Sequence, residues 1–201
     1  ASAGVGTLVL ADDDVVDESN LQRQIIHGEA DVGINKVASA KASIAALNSG
    51  VLVETLQQRL SGEMLAKEVL KADVVVDCCD NLVTRLAVNK ACLQHQTPMI
   101  SGAAIRMEGQ VIVVDPRELS TPCYHCLMQF TGEQEHSCST TGVMAPIVGI
   151  IGAIQAMEAI KVISHFGQPL VGKLLLLDAK TMQWKTFSLP KDTACPSCSK
   201  I

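Results

Sequence analysis

The sequence predicts an α/β protein whose mostly parallel sheet is extended by antiparallel strands. Three observations carry this. Up to Ser101, short apolar runs alternate with helical stretches, and right-handed crossovers turn that order into a parallel sheet flanked by helices. Beyond Ser101 strand-like runs follow one another more closely, and the last two read as a hairpin. Finally, two C-x-x-C pairs, Cys123 with Cys126 and Cys195 with Cys198, lie far apart in the chain. Such pairs read as a four-thiolate zinc site at the C-terminal end, with redox-active or disulfide pairs as the competing readings. The first half is Rossmann-like, and in such sheets ligands bind outside the carboxyl ends of the strands.

The elements follow in order. Leu8-Val9-Leu10 is the apolar run of a buried strand and breaks into Asp12-Asp13-Asp14. Ser19-Asn20 reads as a helix cap, and a helical turn would set Asn20 and Arg23 on one face. Residues 35–47 (NKVASAKASIAAL) form an amphipathic helix with Val37, Ala40, Ile44 and Leu47 on its apolar face. Residues 51–56 alternate like a strand, and Ser61 caps a helix running to Leu70. Residues 72–77 are a β-branched run typical of a buried parallel strand, ending in Cys78-Cys79-Asp80-Asn81. A helix to about Gln96 and a strand over 98–101 complete this part.

The second part starts with a strand over 109–115 and passes through the Cys123 pair. A polar stretch over 129–141 has no periodicity and reads as a mobile loop. Residues 143–163 are largely apolar. Their charge-free core falls short of the ~20 residues a membrane crossing needs, so a buried helix or a dimer interface is expected, with Gly149 and Gly152 permitting close approach. Strands over 174–178 and 183–189 precede the Cys195 pair. The opening Ala1 to Gly6 reads as the end of a helix closed by Gly4 or Gly6.

Composition narrows the class. With aromatics at 2%, the core must be built from Val, Ile, Leu, Ala and Met. A net charge of −5 and the lack of any basic stripe argue against nucleic acid as a partner. Thiols that must stay free to ligate a metal imply a reducing, cytoplasmic compartment.

Four groups of side chains carry chemistry. Asp12, at the end of a strand, suits ribose hydroxyls; alone it reads equally as a solvated turn. Arg23 and Lys36 can neutralise phosphate, and Lys36 stands at a helix start where the dipole favours anions; alone it would be a solvated lysine. Asp80 and Asn81 lie at a second strand end, where the competing reading is a helix cap. Cys138 is a thiol within the polar stretch, close to His136 but also to Glu133 and Glu135. Cys78, Cys79 and Cys92 read as buried small apolar residues.

SNLQRQ, Cys78-Cys79-Asp80-Asn81, SGAAIRMEGQ (101–110) and the CYHC and CPSC pairs together resemble the MoeB/ThiF family over essentially the whole chain. SGAAIRMEGQ and residues 142–161 are closer to its molybdopterin-synthase branch than to its thiamine branch. The resemblance implies ATP-dependent adenylation of the C-terminal glycine of a ubiquitin-like sulfur carrier ending in Gly-Gly. It implies ATP, Mg²⁺ and Zn²⁺ as cofactors, and a homodimer. Carried over by position, Asp12 holds the ribose, Asn20 and Arg23 face the phosphates with Gln24 a weaker candidate, and Lys36 adds charge. Asp80, with Asn81 beside it, holds Mg²⁺. Cys138 stands where thiamine-branch relatives carry a conjugating cysteine, whereas adenylation itself does not need it.

The resemblance also implies a single adenylyltransferase domain over residues 1–201. That domain would lack its first strand, its N-terminal helices, the glycine-rich phosphate loop and the arginine that relatives lend across the dimer. Two competing classes follow: a catalytically silent scaffold that binds the carrier, and a nicotinamide-dependent oxidoreductase supported by fold analogy alone.

Overall fold

A computed structural model describes residues 1–131 and 142–199. The chain forms two compact units, Ala1–Leu60 and Ser61–Ile201.

The first unit holds a parallel strand pair and one helix. β1 (Thr7–Ala11) pairs with β2 (Leu52–Leu56), and α1 (Lys36–Leu47) connects them. The side chains of β1 alternate, so Leu8 and Leu10 pack against Ile44, Val51 and Val53 while Val9 is exposed. The strand expected to be buried therefore buries one face only. On α1, Val37, Ala40 and Ile44 are buried as expected, whereas Leu47, the last helical residue, is 65% exposed. At the start of the chain Gly4 has φ 85°, the left-handed region glycine adopts cheaply, and its N–H donates to the Ala1 carbonyl.

The second unit is built on a five-stranded mixed sheet, ordered β3 (Val75–Asp77), β4 (Met99–Ile105), β5 (Glu108–Val114), β6 (Lys173–Asp178) and β7 (Gln183–Ser188). β3 and β4 are parallel and the other neighbours are antiparallel; β4–β5 and β6–β7 are hairpins, whereas residues 115–172 connect β5 to β6. The parallel pairs thus fall in two sheets, and the antiparallel extension from β4 to β7 is two hairpins lying side by side. Helices α2 (Gly62–Lys71), α3 (Leu82–His95), α4 (Tyr124–Thr131) and α5 (Ala145–Ser164) complete this unit. α3 ends at Gln96, which takes φ 55°.

α5 is 20 residues long and long and apolar enough to cross a membrane by length and composition. One of its faces covers the sheet, with Ile147, Ile151, Ala159 and Val162 joining Ile100, Val111, Val113 and Leu177 in the core. Its outer face is apolar, with exposed Ala153, Ala156, Met157 and Ile163. Gly149 and Gly152 lie on that face, and among the described residues nothing comes within 4 Å of where a Cβ would sit. Among the described residues, nothing uses the room these two glycines leave.

Close approach occurs instead on the sheet side. A Cβ at Gly102 would meet the Gln155 amide at 2.3 Å, and one at Gly109 would meet Ile151 at 2.5 Å. The Gln155 side chain cannot retreat freely, because its Nε2 donates to the Asp77 carbonyl at 2.8 Å and the Ile100 carbonyl at 3.3 Å. Gly102→Ala is therefore expected to cost about 1–3 kcal/mol, the range for an overpacked core. A melt or urea titration reads this directly; wild-type stability would show that the helix can shift without loss.

Two further differences from the sequence reading stand out. α4 begins immediately after Cys123, and Gln129, Phe130 and Thr131 belong to it rather than to a loop. Cys78 is exposed and Cys79 half-buried, and only Cys92 is buried as expected. The reason is position: Cys78 and Cys79 follow the last residue of β3, where the chain leaves the sheet.

Candidate nucleotide site and four-cysteine centre

In the first unit, Asp12 directly follows β1 and is half-buried. Its Oδ1 accepts the Asp14 N–H at 2.8 Å, which turns the chain sharply at the strand end. Asp14 then receives the Lys36 Nζ at 2.8 Å, and Asp13 meets Arg59 at 3.4 Å. The Lys36 side chain is only 13% exposed, so this amine is held in place and is no free surface lysine. It stands at the first residue of α1, whose cap Asn35 accepts the Val37 N–H at 3.1 Å.

The turn carrying Asn20 and Arg23 is organised by Asp17, not by Ser19-Asn20 as expected. Asp17 Oδ1 accepts the Ser19 N–H at 2.8 Å, and Asn20 Oδ1 accepts the Asp17 N–H at 3.2 Å. These bonds are reciprocal, a capping box over the 3-10 turn Glu18–Asn20. Asp17 is held below the ordinary carboxylate value by the Ser19 hydrogen bonds, with the Lys36 charge adding to them. Arg23 Nη1 donates to the Ser19 carbonyl at 2.9 Å. The structure thus links Asp12 and Lys36 through Asp14, and Asn20 and Arg23 share one turn. Gln24 presents a buried side-chain oxygen with no partner among the described residues. His27, bonded to Ser39 at 2.7 Å, is pushed to a lower pKa by burial, which outweighs the opposing Asp31 charge.

In the second unit, Asp80 is exposed on the loop between β3 and α3. Asn81 is the cap of α3, its Oδ1 accepting the Thr84 N–H at 2.9 Å while its Nδ2 reaches Asp80 Oδ1 at 3.4 Å. Asp80 has no ion pair among the described residues, so hard oxygen donors face outward next to a helix N-terminus. That is chemistry suited to a magnesium ion.

Behind Asp80 lies a buried network the sequence did not disclose. Arg85 Nη1 donates to Asp77 Oδ2 at 3.2 Å and to Ser101 Oγ at 2.8 Å; Ser101 Oγ in turn donates to Asp77 Oδ2 at 2.6 Å. Arg85 Nη2 donates to the carbonyls of Cys79 and Gly102. The guanidinium also lies 5.9 Å from the Tyr124 ring centre. Burial, followed by the charge of Asp77, pushes the neighbouring Cys79 thiol up to about 12. A thiol held so high is a poor nucleophile at neutral pH.

The four cysteines Cys123, Cys126, Cys195 and Cys198 converge as expected and are buried. Their sulfurs stand 3.9 Å (Cys123 and Cys126), 3.7 Å (Cys123 and Cys195) and 3.5 Å (Cys126 and Cys198) apart. Four thiolates placed tetrahedrally about 2.3 Å from one ion would be about 3.8 Å apart, so the group fits a tetrahedral metal. A disulfide would need about 2 Å. Of the acidic groups, Asp12, Asp13 and Asp14 also converge, but Asp13 and Asp14 are committed to cations. Cys138 lies outside the described residues.

Comparison with known proteins agrees with this architecture. The molybdopterin-synthase adenylyltransferase of Salmonella typhimurium is 44% identical over 200 residues, covering 100% of this chain and 80% of that protein. The sulfur carrier protein ThiS adenylyltransferase of Escherichia coli is also 44% identical, over 98% of this chain and 78% of its own length. Among solved structures, E. coli MccB superposes with a TM-score of 0.80 at 22% identity, over 98% of this chain and 59% of that one, a likeness of fold. The ThiF family model matches residues 1–197, and the chain belongs to the ThiF family.

Proposed function

We propose that this chain is an adenylyltransferase that activates the C-terminal glycine carboxylate of a ubiquitin-like sulfur carrier, in the molybdenum-cofactor branch. The observation that carries the reading is the 44% identity to a molybdopterin-synthase adenylyltransferase across the whole chain. In this reading Asp12 holds the ribose hydroxyls, while Asn20 and Arg23 contact phosphate. Lys36, kept in place by Asp14, adds positive charge at the α1 N-terminus. Asp80, with Asn81 fixing its loop, would hold Mg²⁺, whose contribution is to offset charge on the phosphates. The carrier carboxylate is already ionised at neutral pH and needs no base. It attacks the α-phosphorus, the bond to the β-phosphate oxygen breaks, and pyrophosphate leaves with that electron pair.

The four-cysteine group would hold zinc in a closed structural role, tying the C-terminal tail to the start of α4. Thiols kept free to hold a metal support a reducing compartment, and the cytoplasm is the location that belongs to this reading. A single adenylyltransferase domain over residues 1–201 and a homodimer, with the outer face of α5 as its contact, belong to the same reading. A monomeric mass by light scattering would remove the dimer. The packed Gln155 and Glu158 on α5 favour a core helix over a membrane crossing.

A second reading rests on the equal identity to the ThiS adenylyltransferase. One assay separates the two: exchange of labelled pyrophosphate into ATP, offered each carrier in turn. Exchange is expected with the molybdopterin-synthase carrier. Exchange only with the thiamine carrier would transfer the assignment to the second reading. Binding of a carrier without any exchange would establish a silent scaffold.

A further inference from the structure

We propose that Arg85 is a positioning residue, which locks the loop behind Asp80 so that the Asp80 carboxylate is presented to its metal. This rests on the reading of Asp80 as a magnesium ligand. Cys79 is the residue immediately before Asp80. Its N–H donates to Asp77 Oδ1 at 3.0 Å, and its carbonyl accepts from Arg85 Nη2. Both backbone groups of this residue are therefore tied to one buried ion pair. Two further guanidinium bonds, to Ser101 Oγ at 2.8 Å and to the Gly102 carbonyl at 3.0 Å, anchor the same unit to β4. Gln155 closes it from α5 by donating to the Asp77 carbonyl.

Charge explains why an ion pair is used. Arg85 is 7% exposed and Asp77 2% exposed, and their opposite charges largely cancel. The clamp holds the loop rigidly but leaves Asp80 without a competing cation, as its lack of any ion pair among the described residues shows. A lone cation there would neutralise the carboxylate it serves. The shape of arginine matters as well: four acceptors are reached by one planar group, which a lysine cannot reproduce. Removing Arg85 outright would strand a buried Asp77, so milder changes are the informative ones.

Arg85→Lys keeps the charge and loses the fork; Ser101→Ala removes only the hydroxyl between Arg85 and Asp77. Binding of Mn²⁺, as a spectroscopic probe for Mg²⁺, is measured by electron paramagnetic resonance with a non-hydrolysable ATP analogue and no carrier, so that no turnover occurs. Each variant is expected to bind Mn²⁺ about tenfold more weakly, the usual cost of losing support behind a ligand, with four-cysteine metal content and fold unchanged. The Mg²⁺ concentration for half-maximal pyrophosphate exchange should rise by the same factor, with the KM for carrier unmoved. Wild-type Mn²⁺ affinity in both variants overturns the proposal. Asp80→Ala is the control that separates the two layers. If it binds Mn²⁺ normally, the magnesium reading of Asp80 fails; if it loses Mn²⁺ while the other two bind normally, only the role of Arg85 fails.

Discussion

Asp80→Ala is expected to lower carrier-dependent pyrophosphate exchange by on the order of 100- to 1,000-fold, the scale for losing one group that stabilises transition-state charge. The expectation follows from where the residue stands. Asp80 is exposed, sits at the N-terminal end of α3 and makes only a 3.4 Å contact with Asn81 among the described residues. Nothing in the fold depends on its carboxylate, so truncation should leave the melting temperature and the four-cysteine metal content unchanged. The adjacent cap is provided by Asn81 and remains intact. Asp73→Ala, which removes another exposed carboxylate of the same unit, should exchange at the wild-type rate. An Asp80→Ala protein within about threefold of wild type would remove this residue from the chemistry, since even weak charge contributions exceed that.

The contrast between Asp80 and Arg85 shows what could be read before any coordinates. Strand and helix positions followed from local pattern: the β-branched run before Asp77, the alanine-rich stretch that forms α1, the alternation over residues 51–56. Asp12, Lys36 and Asp80 stood out because each lies at a strand end or helix start, where ligands are met, and Arg23 because it is a cation three positions after Asn20. Arg85 did not, because its partners are distant in sequence. Its guanidinium reaches Ser101 and Gly102 on β4, and the clamp is completed by Gln155 on α5. A single sequence gives no register between such elements. The exposure of Cys78 was hidden for a related reason, since an apolar run does not mark the residue at which the chain leaves the sheet. The early part of α4 was masked by its own content: Cys126 was legible as half of a metal knuckle, which drew attention from the helical turn carrying it. Asp17, Ser19 and Asn20 are equally good capping residues, so residue type alone does not single out Asp17.

Stripping the metal from the four-cysteine group, by strong chelation or by Cys198→Ser, should destabilise the second unit severely. A ligand present at 1,000 times its dissociation constant stabilises by about 4 kcal/mol, and a bound structural metal exceeds that ratio. At roughly 2–4 °C per kcal/mol for a chain of this size, the melting temperature should fall by at least about 8 °C. The loss has a definite location. Without the metal, the segment beyond Leu189 is held to the rest of the unit mainly by the Lys191 bond to the Leu119 carbonyl at 2.6 Å and by Ser197 against His125 at 2.8 Å. Its detachment uncovers His125 and Cys126 on α4, against which the tail residues Ser197 and Cys198 lie. The effect also has a pH signature. Burial pushes the metal-free Cys123 thiol up to about 11, so metal binding must expel protons, and affinity falls as pH falls. The gap in melting temperature between metal-bound and stripped protein should therefore narrow from pH 8 toward pH 5. A closed four-thiolate site offers no open position to substrate, so stripped protein that is still folded at low temperature should retain exchange per folded molecule. Complete loss of exchange in folded, stripped protein would instead place the metal in the chemistry, and an unchanged melting curve for Cys198→Ser would show that no metal holds the tail.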